Sequence, residues 1–378
     1  MAARKKTAAL AAELPLSIIE CEILPRLPAK SVGRCMCVCK LWKSLLSTPV
    51  FTRMHLRNNV TDIDQYKLLM IDDHGTLTTL DGHVVHRNPE PLGPINYRFY
   101  VLASLDGLVC LGSVVTGLAF WNPLTGAYKK LAPIPCTISF WLCDGVGFYI
   151  DRSSNDYRLL YMKRGGIDGV YIYSHKLDSW RQIDFSEGLV SNHSSYDYVI
   201  CSEATAFFGQ CLYFVMTDSM YSGGSWIICF DVKTEKVRKI RFPHGVPAQD
   251  DNLTHASLVL LHGCIHLCVS YFVGDYSLPL PCKNFDMWRM DHGTDGWVKV
   301  FSEPVMFSIS SQSFPLQRSI CTATTTTNYD SLAALLDDDN NSFKKMNTED
   351  FTTRYFRFPS LTHRSDRIIY VETLVSPA

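Results

Sequence analysis

FWNPLTGAYKKL, residues 120–131, holds an apolar run, an Asn, a polar turn containing Gly126, then an aromatic residue and a strand bearing two lysines. The design returns as IYSHKLDSWRQI (172–183) and CFDVKTEKVRKI (229–240), more loosely as MWRMDHGTDGWVKVF (287–301), and most weakly as KMNTEDFTTRYFRF (345–358). In each, an apolar strand ends near Asp, Asn or Ser. A polar turn follows, then an aromatic residue or Val and a strand alternating with Lys or Arg. With Trp121, Tyr173, Phe230, Trp288 and Lys345 as anchors, the spacings are 52, 57, 58 and 57 residues. Another hairpin precedes several copies: CLGSVVTG, FFGQCLYFV, LLHGCIHLCV and, less clearly, SLAALLDDD. Two hairpins per repeat predict the four-stranded blades of a β-propeller. YKLLMIDDHGTLTTL (66–80) supplies one more blade, and RIIYVETLVSP (367–377) a strand that pairs back to close the ring. The expected number of blades is about six, with five to seven open. A two-sheet sandwich or a solenoid is the fallback.

Outward from these repeats, short apolar runs such as GVGFYI, YRLLYM and WIICF alternate with turn residues from Tyr66 onward, and no amphipathic helix is evident after residue 60. RNNVTDID (57–64) is polar and suits a hinge. Before it lies LPLSIIECEILPRLPAKSVGRCMCVCKLWKSLLSTPVF, residues 14–51, with a different periodicity. Leu16, Ile19, Ile23 and Leu27 recur at helical spacing, and Ile18 and Leu24 fall on a neighbouring face. Pro15 suits the first turn and Pro28 stops the run. Ser31 is placed to cap a second helix whose apolar side begins with Val32 and Met36. A third helix, LWKSLL, ends at Thr48-Pro49. Three helices this short bury too little surface to be comfortable alone. They offer Leu14, Ile18, Leu24, Val32 and Trp42 to a partner's groove. The fold class is therefore mainly β with a small N-terminal α domain.

The order Leu-Pro, Ile-Ile, Ile-Leu, Arg-Leu-Pro, Lys-Ser-Val, Cys-Val-Cys-Lys-Leu-Trp and Ser-Thr-Pro-Val-Phe closely resembles an F-box. That resemblance implies docking on the SKP-type adaptor of cullin-RING ubiquitin ligases, and through it contact with the cullin and RING subunits. The residues expected to bind the adaptor are Leu14, Pro15, Ile18, Ile19, Ile23, Leu24, Leu27, Pro28, Ser31, Val32, Cys39, Trp42 and Leu45. Two features depart from the pattern. Pro25 would remove a hydrogen bond to the Cys21 carbonyl, and Cys35-Met36-Cys37 replaces an Arg-Phe-Arg type of sequence. GLVCL, FWNPLTGAYKKL, FDVKTEKVRKI and YVETLVSP are similar to motifs of plant F-box-associated, kelch-like interaction domains over roughly residues 95–375. This second resemblance implies a domain that recruits a target protein for ubiquitination and degradation. The expected layout is a tail over 1–13, the F-box over 14–56, a linker over 57–65 and the β domain over 66–378.

Apolar residues make up 47% of the 378 residues and charged ones 19%, enough for a sizeable core. A net charge of −1 gives no electrostatic footprint for nucleic acid or an anionic membrane. Arg4-Lys5-Lys6 is a small cluster that suits a solvated tail. AALAA is too short for a signal peptide core, and no apolar run is long enough to span a membrane. The expected location is the cytoplasm, the nucleus or both. Fourteen cysteines, many in apolar runs, read as small buried hydrophobes of a reducing compartment.

Neither a metal nor another cofactor is expected. Cys35, Cys37 and Cys39 point to different sides of a helical region, and no Cys-x-x-Cys pair exists. His262 and His266 have ligand spacing for a helix but lie in a strand–turn–strand. Gly165–Gly169 reads as a hairpin turn, and the acidic run from Asp337 to Asn341 lacks the central Gly of a calcium loop. No Gly-x-Ser-x-Gly elbow is present. Two function classes remain: a non-catalytic adaptor, or a propeller enzyme or carbohydrate binder whose turnover the F-box regulates. Absence of clustered ligands favours the first. In a propeller blade the first and third turns share one face of the ring. Here those turns are short, and the long connections (184–204, 216–225, 241–257, 270–285 and 302–318) fall on the other face. They carry Tyr196, Tyr198, Tyr221, Tyr271, Tyr276, Phe314 and Arg318, side chains suited to gripping a target protein.

Overall fold

A computed structural model describes residues 15–59, 66–71, 76–79, 84–87, 100–113, 115–136, 145–163, 169–184, 198–218, 225–246, 253–261, 264–273, 282–291, 296–305, 333–337, 342–346, 353–357 and 366–377. Short helices lead: α1 (Leu16–Ile18), α2 (Ala29–Cys35), α3 (Lys40–Leu46) and α4 (Pro49–Asn59), with a π turn and a 3-10 turn between α1 and α2. The α4 helix was not foreseen, and it runs through the first three residues of the expected 57–65 linker. Thr48 starts it, because its Oγ1 accepts the Phe51 N–H at 3.2 Å. Arg57 lies in its last turn, where a cation suits the helix dipole.

Six antiparallel sheets follow among the described residues, five of four strands and one of three. β1 (Tyr66–Ile71), β2 (Thr76–Thr79) and β3 (Val84–Arg87) are completed by β23 (Asp366–Val371), which lies outside β1. The ring is thus closed by the late strand, as expected from RIIYV. The second sheet runs β4 (Tyr100–Leu105), β5 (Leu108–Ser113), β6 (Gly117–Trp121) and β7 (Tyr128–Lys130). The third runs β8 (Gly145–Asp151), β9 (Asp156–Met162), β10 (Val170–Ser174) and β11 (Ser179–Ile183). The fourth is β12 (Tyr198–Phe208), β13 (Cys211–Asp218), β14 (Ser225–Asp231) and β15 (Val237–Arg241). The fifth is β16 (Leu253–Leu261), β17 (Cys264–Val273), β18 (Cys282–Asp291) and β19 (Gly296–Val305). The sixth is β20 (Ala333–Asp337), β21 (Ser342–Met346) and β22 (Thr353–Arg357). The first strands of neighbouring units, β23, β4, β8, β12 and β16, pack side by side in that order. This is propeller architecture.

The repeat seen in the sequence is the hairpin between the third and fourth strands, and its chemistry is local. Asn122 Oδ1 accepts the N–H groups of Leu124 and Thr125, and Asp231 Oδ1 those of Lys233 and Thr234. Ser174 Oγ accepts from Leu177. These side chains replace backbone partners that the turn withholds. Four residues on, Gly126, Asp178 and Glu235 occupy positive φ (71°, 46° and 57°). The register then sets Trp121 opposite Tyr128, Tyr173 opposite Trp180 and Phe230 opposite Val237. In the fifth sheet the equivalent pair is Met290 and Trp297, so the true anchor lies two residues after Trp288. Asp291 follows Met290 as Asn122 follows Trp121, and the register shift between Met287 and Trp288 lies farther from the turn. In the sixth it is Met346 and Thr353, one residue after Lys345, which makes β20, β21 and β22 the second to fourth strands of their unit. CLGSVVTG joins the second and third strands of its sheet, whereas FFGQCLYFV joins a first and second.

Cores form between sheets. Leu69 and Tyr370 pack with Val101, Val109 and Trp121; Phe120 and Phe148 stack at 4.7 Å between the second and third sheets. Tyr149, Leu160, Phe214 and Phe230 fill the next gap, and Val215, Ile227, Leu258 and Leu267 the one after. Approach is close enough that a Cβ on Gly147 would lie 2.2 Å from Leu212 Cδ2. Outer strands are latched as well: Trp180 Nε1 donates to the Ala132 carbonyl at 2.7 Å and Trp297 Nε1 to that of Arg241 at 2.9 Å. Arg181 and Glu235 form an ion pair between the third and fourth sheets. The Lys and Arg residues of β7, β11, β15 and β19 sit on outer edge strands, where charge discourages edge-to-edge association.

Asp106 begins the turn between β4 and β5 at φ 53° and is buried, its Oδ2 accepting from the Tyr157 hydroxyl at 3.0 Å. Burial pushes its carboxyl up to about 6, against the smaller opposing effects of the Tyr157 bond and the Arg152 charge. The folded chain therefore holds this proton longer than the unfolded chain, and stability falls as pH rises from 3.8 to about 6. Asp106→Asn keeps the shape and tolerates positive φ. Its unfolding free energy, followed against pH, is expected to match wild type below about pH 4 and to exceed it at pH 7 by on the order of 1–3 kcal/mol. An unchanged difference across that range would contradict the assignment.

Candidate functional site: the apolar helical module

The expected continuous first helix is broken into α1, a π turn over Ile19–Ile23 and a 3-10 turn over Leu24–Arg26. Pro25 is the cause. It has no N–H for the Cys21 carbonyl, and its ring would strike that carbonyl in a regular helix. The π turn widens the backbone, with Leu24 N–H bonded to Ile19 O, and Pro25 falls in the first turn of the 3-10 segment, where no N–H is needed. Pro28, with φ −53° and ψ 144°, then opens α2 itself. Ser31 is not the cap; it lies within α2 and its N–H bonds back to Pro28 O at 2.8 Å. Cys39 does cap α3, its Sγ accepting the Trp42 N–H at 3.5 Å.

These helices share a small core of Leu24, Val32, Leu46 and Phe51, with Ile19, Leu27, Met36 and Trp42 against it. His55 of α4 is buried, stacks on Phe51, and brings Nε2 to 2.8 Å from Leu27 O. Burial lowers its pKa by penalising the charged ring, an effect only partly offset by that bond. Leu24 and Val32 were expected to face a partner. They are buried instead, because the small module spends its best-spaced residues on its own interior. Pro15, Ile18, Ile23, Pro28 and Cys39 are exposed; Ile19, Leu27, Ser31, Trp42 and Leu45 are half-buried; Leu14 lies outside the described residues.

Outside that core the module is unusually apolar. Leu16, Ile18, Ile23, Val38, Leu41 and Val50 are exposed, at 38–67% of full accessibility. Among the described residues they are six of the ten large exposed hydrophobics. Leu16, Val38, Leu41 and Val50 were missed as partner-facing residues in the sequence. The signal for Leu41 was present: Trp42 and Leu46 form one i,i+4 stripe of α3, Leu41 and Leu45 a second, and a seven-residue helix with one core-facing side needs only the first.

The residues expected to grip a target are placed differently. Tyr198 starts β12 and Tyr271 lies in β17. Tyr271 is not a loop residue, since β17 extends to Val273; its hydroxyl donates to the buried Asp286 at 2.9 Å. Tyr196, Tyr221, Tyr276, Phe314 and Arg318 lie outside the described residues. Among the described residues, no cluster of three or more His, Cys, Asp or Glu could hold a metal ion. His266 Nδ1 is 3.1 Å from Cys264 O, and Cys37 Sγ bonds Gly33 O. His262, 165–168 and 338–341 are outside the described residues. No described helix is long and apolar enough to cross a membrane.

Helices of this kind ahead of a ring-closed set of sheets match two family profiles. One, described as F-box domain, covers residues 14–54; the other, described as F-box associated beta propeller domain, covers 54–377. The chain belongs to the F-box-associated β-propeller family. Among relatives of this family, Arabidopsis thaliana F-box protein DOR is 28% identical over 60% of this chain and 61% of its own length. F-box protein CPR1 of the same plant is 25% identical over 80% of this chain and 76% of its own. The match thus spans about three fifths of DOR. A solved luciferin-regenerating enzyme aligns over 71% of this chain and 82% of its own at a TM-score of 0.38 and 9% identity, too loose to transfer fold or activity.

The caps make a sharp test of how the F-box is built. Thr48→Ala is expected to lower module stability by about 1 kcal/mol, whereas Cys39→Ser, which supplies a stronger acceptor, should raise it by a few tenths. Hydrogen exchange of α3 and α4 in the full chain measures both. Opposite signs would contradict the capping geometry.

Proposed function

We propose that this chain is a non-catalytic substrate-recognition subunit of a SKP–cullin–F-box ubiquitin ligase. The F-box docks the SKP-type adaptor, and the propeller recruits a target protein for ubiquitination. The carrying observation is the concentration of exposed apolar side chains in the F-box, which a solvated cap on a propeller has no use for. Family membership supports the same reading.

The target is proposed to dock on the face away from the F-box. Short turns between first and second and between third and fourth strands share the face to which the F-box is attached: Leu56 of α4 packs into the core between the second and third sheets, and residues 373–377 bond to the turns at Asp106, Asn122 and His175. The strand ends away from the F-box are those joined by second-to-third and sheet-to-sheet connections, and Tyr196, Tyr221, Tyr276, Phe314 and Arg318 fall in the sequence of those connections. A partner docked there would lie across the ring from the F-box.

Ile18→Asp combined with Leu41→Asp tests the docking half, since both side chains are exposed and neither supports the core. Each substitution should weaken adaptor binding by about thirtyfold, the loss that removing a hot spot of about 2 kcal/mol gives. The melting curve of the propeller should not move. Adaptor capture at wild-type strength would overturn the reading. For the target face, Tyr196→Ala with Tyr276→Ala should reduce capture of ligase-bound protein in cells, while Lys233→Ala should not. Equal effects would remove the placement.

A further inference from the structure

One short segment touches both parts of the molecule. After the ring-closing strand β23, residues 372–377 run on without regular secondary structure, and their neighbours alternate. Thr373 and Val375 turn to the propeller: Asn122 Nδ2 donates to both of their carbonyls, at 3.0 and 2.7 Å, and Thr373 Oγ1 donates to Asp106 O at 2.8 Å. Val375 is buried in the core between the second and third sheets, and Pro377 O lies 2.8 Å from His175 Nε2. Glu372 and Leu374 turn the other way. Glu372 pairs with Lys30 of α2 at 3.0 Å, and Leu374 packs against the F-box core. Such alternation is what an extended segment between two surfaces does, its side chains pointing to opposite sides in turn. The fit on the propeller side is tight, since a Cβ on Gly107 would lie 2.2 Å from Thr373 Oγ1.

We propose that residues 372–377 form a strap that fixes the orientation of the F-box on the propeller, with Asn122, Asp106, Thr373 and Leu374 as positioning residues for ubiquitin transfer; the last clause rests on the ligase reading above. Two points support a specific role for Asn122. Its Oδ1 already satisfies its own turn, so its Nδ2 is free to serve the strap alone. It is also fully buried, so those donations meet no competition from water. Because the strap continues directly from β23, closing the ring and seating the F-box are one event in space.

The distinguishing variant is Asn122→Asp, which retains the acceptor for the turn and leaves at most one hydrogen, and none when ionised, for the strap. In the full chain, amide exchange of α4 and of the F-box core is expected to rise about tenfold, the equivalent of about 1.4 kcal/mol, while β5 and β6 stay protected. Leu374→Ala should give the same F-box response from the other side. The double variant should show little more than either alone, since the strap is released once. In a reconstituted ligase, adaptor affinity should hold within twofold, but self-ubiquitination should spread over more lysines of the propeller. If Asn122→Asp disturbs its own sheet, Thr373→Val replaces it, because it alters only the strap. Unchanged F-box exchange, or effects that add in full, would overturn the strap. Changed exchange with an unchanged lysine pattern would overturn the positioning role. Failure of the wild-type chain to bind the adaptor would overturn the ligase reading instead and leave the exchange result standing.

Discussion

Six residue pairs, from Tyr66 with Val371 to Ile71 with Asp366, tie β1 to a strand that arrives some 300 residues later. Closing a loop of that length costs chain entropy on the order of 5 kcal/mol. Without this pairing, β1 would lie at a free sheet edge and Tyr370 would leave the gap it fills beside Val101 and Val109. The cost is therefore offset by a completed sheet and a completed core. The same closure delivers residues 372–377 to the F-box. Architecture and attachment both depend on it.

The propeller was legible because its hairpins need particular residues at particular places. An oxygen-bearing side chain must open the turn, a residue tolerant of positive φ must come four later, and strands of Val, Ile and aromatics must flank them. Asn122, Asp231 and Ser174 are those openers, and the pattern of the repeats is their signature. The pattern misleads where a bulkier side chain or a longer strand competes with it. In the fifth unit the apolar residue before the turn-opening Asp291 is Met290, and the bulkier Trp288 two residues earlier obscured it. Tyr271 looked like a loop residue because the strand boundary depends on its pairing with Leu253 and Asn284 on the two neighbouring strands.

In the F-box, periodicity showed which residues are apolar in rows but not which row faces inward. Leu24 and Val32 fit the partner-facing expectation as well as the core, and packing of the turns at Ile19 and Leu24 with α2, α3 and α4 decided for the core. Leu16, Leu41 and Val50 were left outside it. The break at Pro25 was legible, because a missing N–H is written in the residue itself; its resolution as a π turn followed by a 3-10 turn was not. The strap was hidden for a similar reason. YVETLVSP shows alternating apolar residues, yet nothing local says that two different bodies occupy its two sides.

The F-box keeps apolar side chains exposed while its α4 and residues 373–377 meet the short-turn face of the ring. In the proposed function, the exposed apolar surface of the F-box is an interface for the SKP-type adaptor. Titration calorimetry of the full chain with the purified adaptor, at several temperatures and two salt concentrations, tests it most directly. Docking through that surface should give one-to-one binding with a large negative heat capacity change, the mark of apolar burial, and little dependence on salt. Absence of binding, or a complex with no heat capacity change that dissolves in salt, would contradict it.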